Sequence, residues 1–284
     1  FLEARLGKEV MQHTIYIYIS DGGVQEEISQ GVGRIAGNLG LSNIVMFYDS
    51  NDIQLSTECG VVMNEDTAAK YKAWGWNVMT IDGNNADEIR DALNKAKQET
   101  QRPTLIIGNT VMGKGALKAD GSSFEHNIST HGAPLGGDAY INTIRHLGGN
   151  PDDPFVIFPE VQELYAKRRN QLKEIVAKRK TAEAEWAKAH PEKAQQMAEW
   201  FSGKAPKVDW SALVQKEDAA TRAASAACLG ILAEQVPNMI CASADLSNSD
   251  KTDGFLKKTR SIMAEDFGGA FFQAGVSELT MACM

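Results

Sequence analysis

Long apolar runs are absent from this sequence. No stretch approaches the roughly 18 apolar residues that span a bilayer. The first residues also lack the charged and apolar segments of a signal peptide. These absences exclude a membrane-spanning helix and predict a soluble, cytoplasmic protein.

Cysteine and positive charge are both scarce. The four cysteines are widely spaced and form no CxxC pair and no Cys/His metal spacing, so we expect reduced thiols in the core. Lys and Arg number 29 against 37 Asp and Glu, a net charge of -8. This balance argues against a duplex nucleic acid partner, which needs clustered, uncompensated cations. The cysteines are Cys59, Cys228, Cys241 and Cys283.

The composition that is present is that of a globular protein, with 43% hydrophobic and 23% charged residues. Continuous apolar strands alternate with helical patterns of about 10 to 15 residues, which predicts an α/β fold with parallel sheets flanked by helices. In such sheets, ligands bind at the carboxyl ends of the strands. The predicted strands cover residues 13–20, 43–48, 76–81, 103–109 and 238–242; the predicted helices cover residues 24–39, 65–73, 86–98 and 218–235 and a segment after Gly275.

A Lys-, Glu- and Ala-rich stretch at residues 159–203 divides the chain. It is interrupted at Pro191 and has too few apolar residues for a buried helix, so we interpret it as a solvated helical arm. The arm joins two predicted partial domains, residues 1–158 and residues 204–284. Phe1 is not an initiator, and Met284 ends an apolar run without a helix stop signal. We therefore expect an internal fragment of a longer protein.

The sharpest local feature is SDGG at residues 20–23, where the first predicted strand ends and a helix begins. Asn51 follows the next apolar strand, thirty residues after Asp21. Because neighbouring parallel strands end at the same edge, both side chains can offer oxygens to one hard cation such as Mg2+. Gly22 and Gly23 let a diphosphate approach the backbone N–H groups.

Two glycine-rich segments imitate nucleotide-binding motifs. Residues 108–115, GNTVMGKG, have Gly115 where a P-loop has Ser or Thr, and a poor helix start follows. Gly31, Gly33 and Ala36 imitate a dinucleotide fingerprint inside a helix rather than at a strand turn. We interpret both as structural segments.

The spacing of Asp21 and Asn51 resembles the thiamine diphosphate motif, which begins with Gly-Asp-Gly and ends with Asn. Ser20 replaces the first glycine of that motif. The resemblance implies metal ligation by Asp21, Asn51 and the backbone carbonyl of Ile53. The metal implied is Mg2+, with Ca2+ or Mn2+ as alternatives.

Other segments, in the same order along nearly the whole chain, resemble transketolase. They are FYDSNDIQL at residues 47–55, MGKG at 112–115, THGAPL at 130–135, SADLSNS at 243–249 and GVSE at 275–278. The resemblance implies the later part of the diphosphate-binding domain and the start of the pyrimidine-binding domain. It also implies reversible transfer of a two-carbon ketol unit from a ketose phosphate to an aldose phosphate in the pentose phosphate pathway.

The resemblance also implies roles for individual residues. His131 reaches the cofactor diphosphate and the reacting sugar, and Glu278 is the catalytic acid that activates the cofactor. Arg222 and Ser249 bind the substrate phosphate, the first through bidentate donors. The cofactor-binding set implied is Gly22, Glu26, Asn51, Leu55, His131, Asp245 and Glu278.

The resemblance has departures and rivals. Glu26 matches an acid that couples the cofactor sites of a homodimer, but Gly31 replaces a second acid seen in some members. Since the third domain and the N-terminal histidines of the family are missing, we expect the isolated chain to be almost inactive. The alternatives are deoxyxylulose phosphate synthase, a ketoacid dehydrogenase component and a non-catalytic paralogue that binds cofactor. THGAPL and SADL favour transketolase over the other enzymes.

Overall fold

The computed structural model describes all residues from 1 to 284. The helices are α1 Leu2–Leu6, α2 Lys8–Met11, α3 Asp21–Gln25, α4 Glu27–Leu39, α5 Thr67–Ala73, α6 Ala86–Ala96, α7 Ser129–Gly132, α8 Gly137–His146, α9 Pro159–Ala189, α10 Pro191–Trp200, α11 Thr221–Gln235, α12 Ser247–Asp250, α13 Asp253–Leu256 and α14 Glu278–Cys283, with a 3-10 turn at Cys59–Val61. The strands are β1 Ile15–Ser20, β2 Ile44–Ser50, β3 Asn77–Asp82, β4 Thr104–Asn109, β5 Cys241–Ser243 and β6 Phe271–Gln273.

Strands β1 to β4 form one parallel sheet in the spatial order β1, β2, β4, β3. Every residue of β4 except the last is buried, as expected for a central strand that is covered on both faces. β1 lies at the edge, and its first four residues are exposed. Ser20 at the end of β1 is paired with Asp49 near the end of β2.

Helices cover both faces of this sheet. Tyr48 of β2 packs on one face in a cluster with Ala36 of α4 and Tyr71 of α5. Val45 of β2 packs on the opposite face in a cluster with Ala92 of α6. The two clusters follow from the alternation of side chains along a strand. The predicted α/β fold is confirmed.

A second, smaller parallel pair is formed by β5 and β6, in which Cys241 lies opposite Phe271 and Ser243 opposite Gln273. The buried cluster around this pair contains Cys241, Phe255 and Phe271. Both strands have only three residues, so this sheet is much smaller than the first.

The internal contacts divide the chain into two compact units, residues 14–171 and residues 1–13 together with 172–284. Helix α9 continues from one unit into the other, and Trp186 is its buried residue. The predicted domain boundaries at residues 158 and 203 stay a prediction. The division by contacts differs from them chiefly because α1 and α2 group with the C-terminal part of the chain.

Two local features differ from the sequence prediction, and a third agrees with it. The helix expected at residues 24–39 begins at Asp21 and is broken at Glu26, whose backbone is extended at φ -58 and ψ 129. Helix α8 was not predicted. No helix begins between Lys114 and Ser129, and residues 117 and 123 instead form an antiparallel bridge, in agreement with the rejection of a P-loop.

No helix is both long enough and apolar enough to span a membrane. All four cysteines are free thiols. Cys59 and Cys241 are buried, but Cys283 is exposed and Cys228 is half-buried, so the expectation of four core thiols holds for two of them.

Candidate functional site

Asp21 is the first residue of α3, directly after β1, and is only 2% exposed. The parallel register of β1 and β2 brings it beside the loop that follows β2. The Oη of Tyr48 donates to Asp21 Oδ1 at 2.6 Å, and the backbone N–H of Asn51 donates to Oδ2 at 3.1 Å. The spatial proximity of Asp21 and Asn51 expected from the sequence is therefore observed.

The buried surroundings of Asp21 also shift the pKa values of Tyr48 and Cys59. Burial, with a further contribution from the hydrogen bond to Asp21, raises the pKa of Tyr48 well above its usual value. Burial also raises the pKa of the Cys59 thiol. Tyr48 and Cys59 therefore stay protonated near neutral pH, and the Tyr48 hydroxyl remains a hydrogen-bond donor.

The loop after β2 is closed by its own backbone. Asn51 Oδ1 accepts from the N–H of Ile53 at 3.1 Å, and the carbonyl of Asp52 accepts from the N–H of Cys59 at 2.9 Å. Asp52 has a left-handed backbone with φ 64, and Ile53 pairs with Glu58 in an antiparallel bridge. These contacts fix Asn51, which is 7% exposed, beside Asp21.

The chemistry of this donor set fits a hard divalent cation. Asp21 supplies a buried carboxylate, Asn51 an amide oxygen and Ile53 a main-chain carbonyl. The donors to the Asp21 carboxylate are two neutral groups, the Tyr48 hydroxyl and the Asn51 N–H. Oxygen ligands and an uncompensated carboxylate are what Mg2+ prefers. No group of three or more His, Cys, Asp or Glu residues suited to a metal occurs in residues 1–284.

The other residues implied for the diphosphate lie around this loop with varied exposure. A Cβ on Gly22 would meet no atom within 4 Å, so the backbone there is open to approach. Glu26 is exposed at the junction of α3 and α4. Leu55 is 68% exposed, and its side chain lies against Gly132. The loop after β2 therefore adjoins the THGAPL segment.

His131 lies in the short helix α7 and is exposed. Its neighbour Thr130 packs against Gly113, whose φ of 64 and close approach leave no room for a side chain. The MGKG and THGAPL segments are therefore in contact with each other. Through the contact of Gly132 with Leu55, they adjoin the loop that follows β2.

Sequence analysis missed a second carboxylate at the same sheet edge. Asp49 accepts hydrogen bonds from the hydroxyls of Tyr18 and Thr110, so it joins β1, β2 and the segment after β4. The bond to Asp49, with burial, raises the pKa of Tyr18 to about 12. The position of Asp49 in the FYDSNDIQL segment could have identified it as a candidate, but its residue type alone did not reveal its hydrogen-bond partners.

In the unit that contains residues 172–284, Asp245 follows β5 and Glu278 begins α14 after β6. Because β5 and β6 are parallel, both acids come after the same edge of this small sheet. Asp245 has a left-handed φ of 65, and both acids are exposed.

The segment SADLSNS is organised around Ser243, which is 1% exposed. Its Oγ accepts from the N–H of Leu246 at 3.1 Å and donates to Asp250 at 3.2 Å. The guanidinium of Arg222, at the start of α11, donates to the backbone carbonyl of Ser249 at 3.4 Å. Arg222 and Ser249 are thus neighbours, and both are exposed.

Comparison with known proteins identifies the family. A family model for "Transketolase, thiamine diphosphate binding domain" matches residues 3–206. The chain belongs to the transketolase family. This match confirms the predicted thiamine diphosphate-binding fold and the predicted family.

The similar proteins are longer than this chain. The transketolase of Geobacillus stearothermophilus is 34% identical, over 98% of this chain and 41% of that protein. A solved transketolase from Leishmania mexicana matches at TM-score 0.88 and 25% identity, over 98% of this chain and 42% of that chain. A Pichia stipitis transketolase in complex with sedoheptulose 7-phosphate matches at TM-score 0.86 and 27% identity, over 95% and 40%. This transketolase-family chain therefore spans about two fifths of the relatives that it matches.

Proposed function

We propose that this chain is the cofactor-binding part of a transketolase that moves two-carbon ketol units between sugar phosphates. The family match and the complexes of Pichia stipitis transketolases with sedoheptulose 7-phosphate and xylulose 5-phosphate support this reaction class. Mg2+, the pentose phosphate pathway, a homodimer and a cytoplasmic location belong to the same proposal.

The observation that carries the proposal is the buried group formed by Asp21, Tyr48 and Asn51. A carboxylate that is 2% exposed and held by two neutral donors is costly to bury unless a cation compensates it. The proposed ligands of that cation are one Asp21 oxygen, Asn51 Oδ1 and the Ile53 carbonyl. The metal would then neutralise a diphosphate that lies against Gly22 and near His131.

When bound, thiamine diphosphate supplies the nucleophilic carbon and the electron sink for breaking the bond next to the ketose carbonyl. Glu278 would share a proton with the pyrimidine N1′, and His131 would donate hydrogen bonds to the diphosphate and the sugar. Asp245 and Leu55 would contact the cofactor, and Glu26 would act in coupling between subunits.

The substrate phosphate is assigned to Arg222 and Ser249. Their contact through the Ser249 carbonyl leaves other guanidinium hydrogens of Arg222 unused. An arginine fork can hold two phosphate oxygens at once, which a lysine cannot do with the same geometry.

The test is calorimetric titration of the chain with thiamine diphosphate, with and without Mg2+. Asp21→Ala removes the proposed ligand, so we expect Mg2+-dependent binding to fall by about a hundredfold or more. The matched control is Asp82→Ala, which removes an exposed carboxylate at the end of β3 in the same sheet. The control should bind like the parent.

Equal affinity of Asp21→Ala and the parent would contradict the assignment, as would equal losses in both variants. Circular dichroism of each variant separates lost binding from lost folding. Residues outside this chain can also contribute to affinity. If the chain alone binds nothing, the same titrations of parent, Asp21→Ala and Asp82→Ala are therefore repeated in a full-length transketolase that contains this sequence.

A further inference from the structure

A cavity of about 570 Å³ lies within the unit formed by residues 1–13 and 172–284. Its lining includes Met239, just before β5, and Ala270, just before β6. The cavity is therefore near the amino ends of the two strands. Asp245 and Glu278 follow the carboxyl ends, and none of the proposed cofactor or substrate residues lines the cavity.

Arg5 of α1 lines this cavity and forms no ion pair. Its Nε is buried and makes no hydrogen bond, and no carboxylate forms an ion pair with it. The guanidinium lies over the ring of Phe1, 5.0 Å from the ring centroid, and Phe1 packs against the core around Phe255. The arginine is thus positioned by packing while its buried Nε donor remains unused.

Two further cations line the cavity, and both are in exposed ion pairs. Lys258 Nζ lies 2.7 Å from Glu234, and Arg260 donates twice to Asp266 at 3.0 Å. Exposed pairs of this kind are weak and can rearrange toward a stronger anion. With Arg5, Lys258 and Arg260 against Glu234 and the Asp266 that pairs with Arg260, the site keeps one net positive charge, that of Arg5, although the whole chain is acidic.

The remaining walls are mostly apolar or lack side chains, apart from Thr259, whose hydroxyl donates to the Phe255 carbonyl. Val236, Met239 and Phe255 supply apolar surface, and Gly268 and Gly269 present only backbone. A concave site of mixed polar and apolar lining, in the usual volume range of about 300 to 1,000 Å³, has room for a small organic molecule with a charged group. The guanidinium fork of Arg5 can hold two oxygens of one phosphate, and the nearby charges of Lys258 and Arg260 favour a group with more than one negative charge.

We propose that this cavity is a second binding site, specific for a small phosphate monoester. Arg5 holds two phosphate oxygens, Lys258 and Arg260 supply further charge, and the apolar wall contacts the organic part. The inference does not depend on the proposed catalytic function, because it uses only residues at the opposite end of the β5–β6 sheet.

The experiment is calorimetric titration of the 284-residue chain with inorganic phosphate, glycerol 3-phosphate and succinate in Mg2+-free buffer. We expect saturable binding of glycerol 3-phosphate, weaker binding of inorganic phosphate and none of succinate. Arg5→Gln should weaken binding by about tenfold or more, and Arg5→Lys should lie between this variant and the parent.

A matched control and a variant of the proposed substrate site locate the binding. Arg179→Gln removes an exposed arginine of the same unit that lies outside this cavity, and it should bind like the parent. Arg222→Gln measures how much of the binding occurs at the proposed substrate phosphate site, and the loss in Arg5→Gln should remain when it is made in the Arg222→Gln background. If Arg5→Gln fails to fold, Lys258→Gln decides the question at a half-exposed position, with a loss of several-fold expected.

Absence of glycerol 3-phosphate binding by the parent would overturn the proposal. Unchanged affinity in the folded Arg5 or Lys258 variants would do the same, as would a loss confined to Arg222→Gln. Equal binding of succinate would overturn the phosphate specificity.

Discussion

In residues 14–171 the candidate site residues Asp21 and Asn51 are buried and hydrogen-bonded to each other, whereas in residues 172–284 Asp245 and Glu278 are exposed. The first pair lies at the edge of a four-stranded sheet with clusters on both faces, and the second follows two strands of three residues. The first site is therefore fixed by its own unit. The positions of the second pair depend on short segments with few contacts.

Because residues 14–171 pack around the larger sheet, substitutions that disturb this packing should have the largest effect on stability. Gly37 of α4 lies so close to α5 that a Cβ would be 1.9 Å from the Trp74 carbonyl oxygen. Gly37→Ala should therefore lower the free energy of unfolding by about 3 kcal/mol, measured by urea unfolding. Hydrogen exchange should show the loss within residues 14–171. Gly60→Ala, at a position with no atom within 4 Å, is the control, and equal destabilisation by both would contradict the packing argument.

A smaller loss is expected when the buried carboxylate loses one donor. Tyr48→Phe removes the 2.6 Å hydrogen bond to Asp21 and should lower the free energy of unfolding by about 1 kcal/mol. It should also weaken Mg2+-dependent cofactor binding, because Asp21 is less well positioned. Tyr16→Phe, at a 54% exposed position, should change neither quantity. Parent-like binding by Tyr48→Phe would show that Asp21 is positioned by other groups.

Alkaline pH should lower the stability mainly of residues 14–171, because all six tyrosines lie in this region. The pKa values of Tyr18 and Tyr71 are raised from 10.0 to about 12, the first by Asp49 and the second by burial. The folded state therefore binds more protons than the unfolded state between these values. This stability is fully present below pH 10 and is lost as the pH rises toward 12.

The measurement is urea unfolding followed by tyrosine circular dichroism across this pH range. Tyr18→Phe should reduce the decrease in stability with pH, whereas Tyr16→Phe should leave it as in the parent. A stability of residues 14–171 that does not change between pH 10 and 12 would contradict the assignment.

Much of the larger sheet was predictable because its strands are continuous apolar runs separated by helical patterns. The strand predicted at residues 43–48 is β2 Ile44–Ser50, and that at 103–109 is β4 Thr104–Asn109. The order β1, β2, β4, β3 was not predictable, since no local pattern specifies which strand is central. The break at Glu26 was also missed, because that residue is compatible with a helix and only its backbone angles reveal the break.

The candidate site was predictable in part. Motif spacing identified Asp21 and Asn51, whose contact the structure contains. Tyr48 was missed because an aromatic residue in an apolar strand reads as core, and its hydroxyl has a partner only when two strands are paired. The roles of His131, Arg222, Asp245, Ser249 and Glu278 remain predictions from the resemblance.

The smallest effect on stability is expected at Glu278. The side chain is exposed at the first position of α14, so Glu278→Gln should change the free energy of unfolding by less than about 0.5 kcal/mol. In the active enzyme it should nevertheless lower ketol transfer by about a hundredfold or more while sparing Mg2+ binding, because glutamine cannot share a proton with the cofactor. Glu192→Gln, a first-turn acid of α10 in the same unit, is the matched control. Near-normal turnover of Glu278→Gln would remove Glu278 from the mechanism. A large loss of stability would contradict the exposed position of the Glu278 side chain.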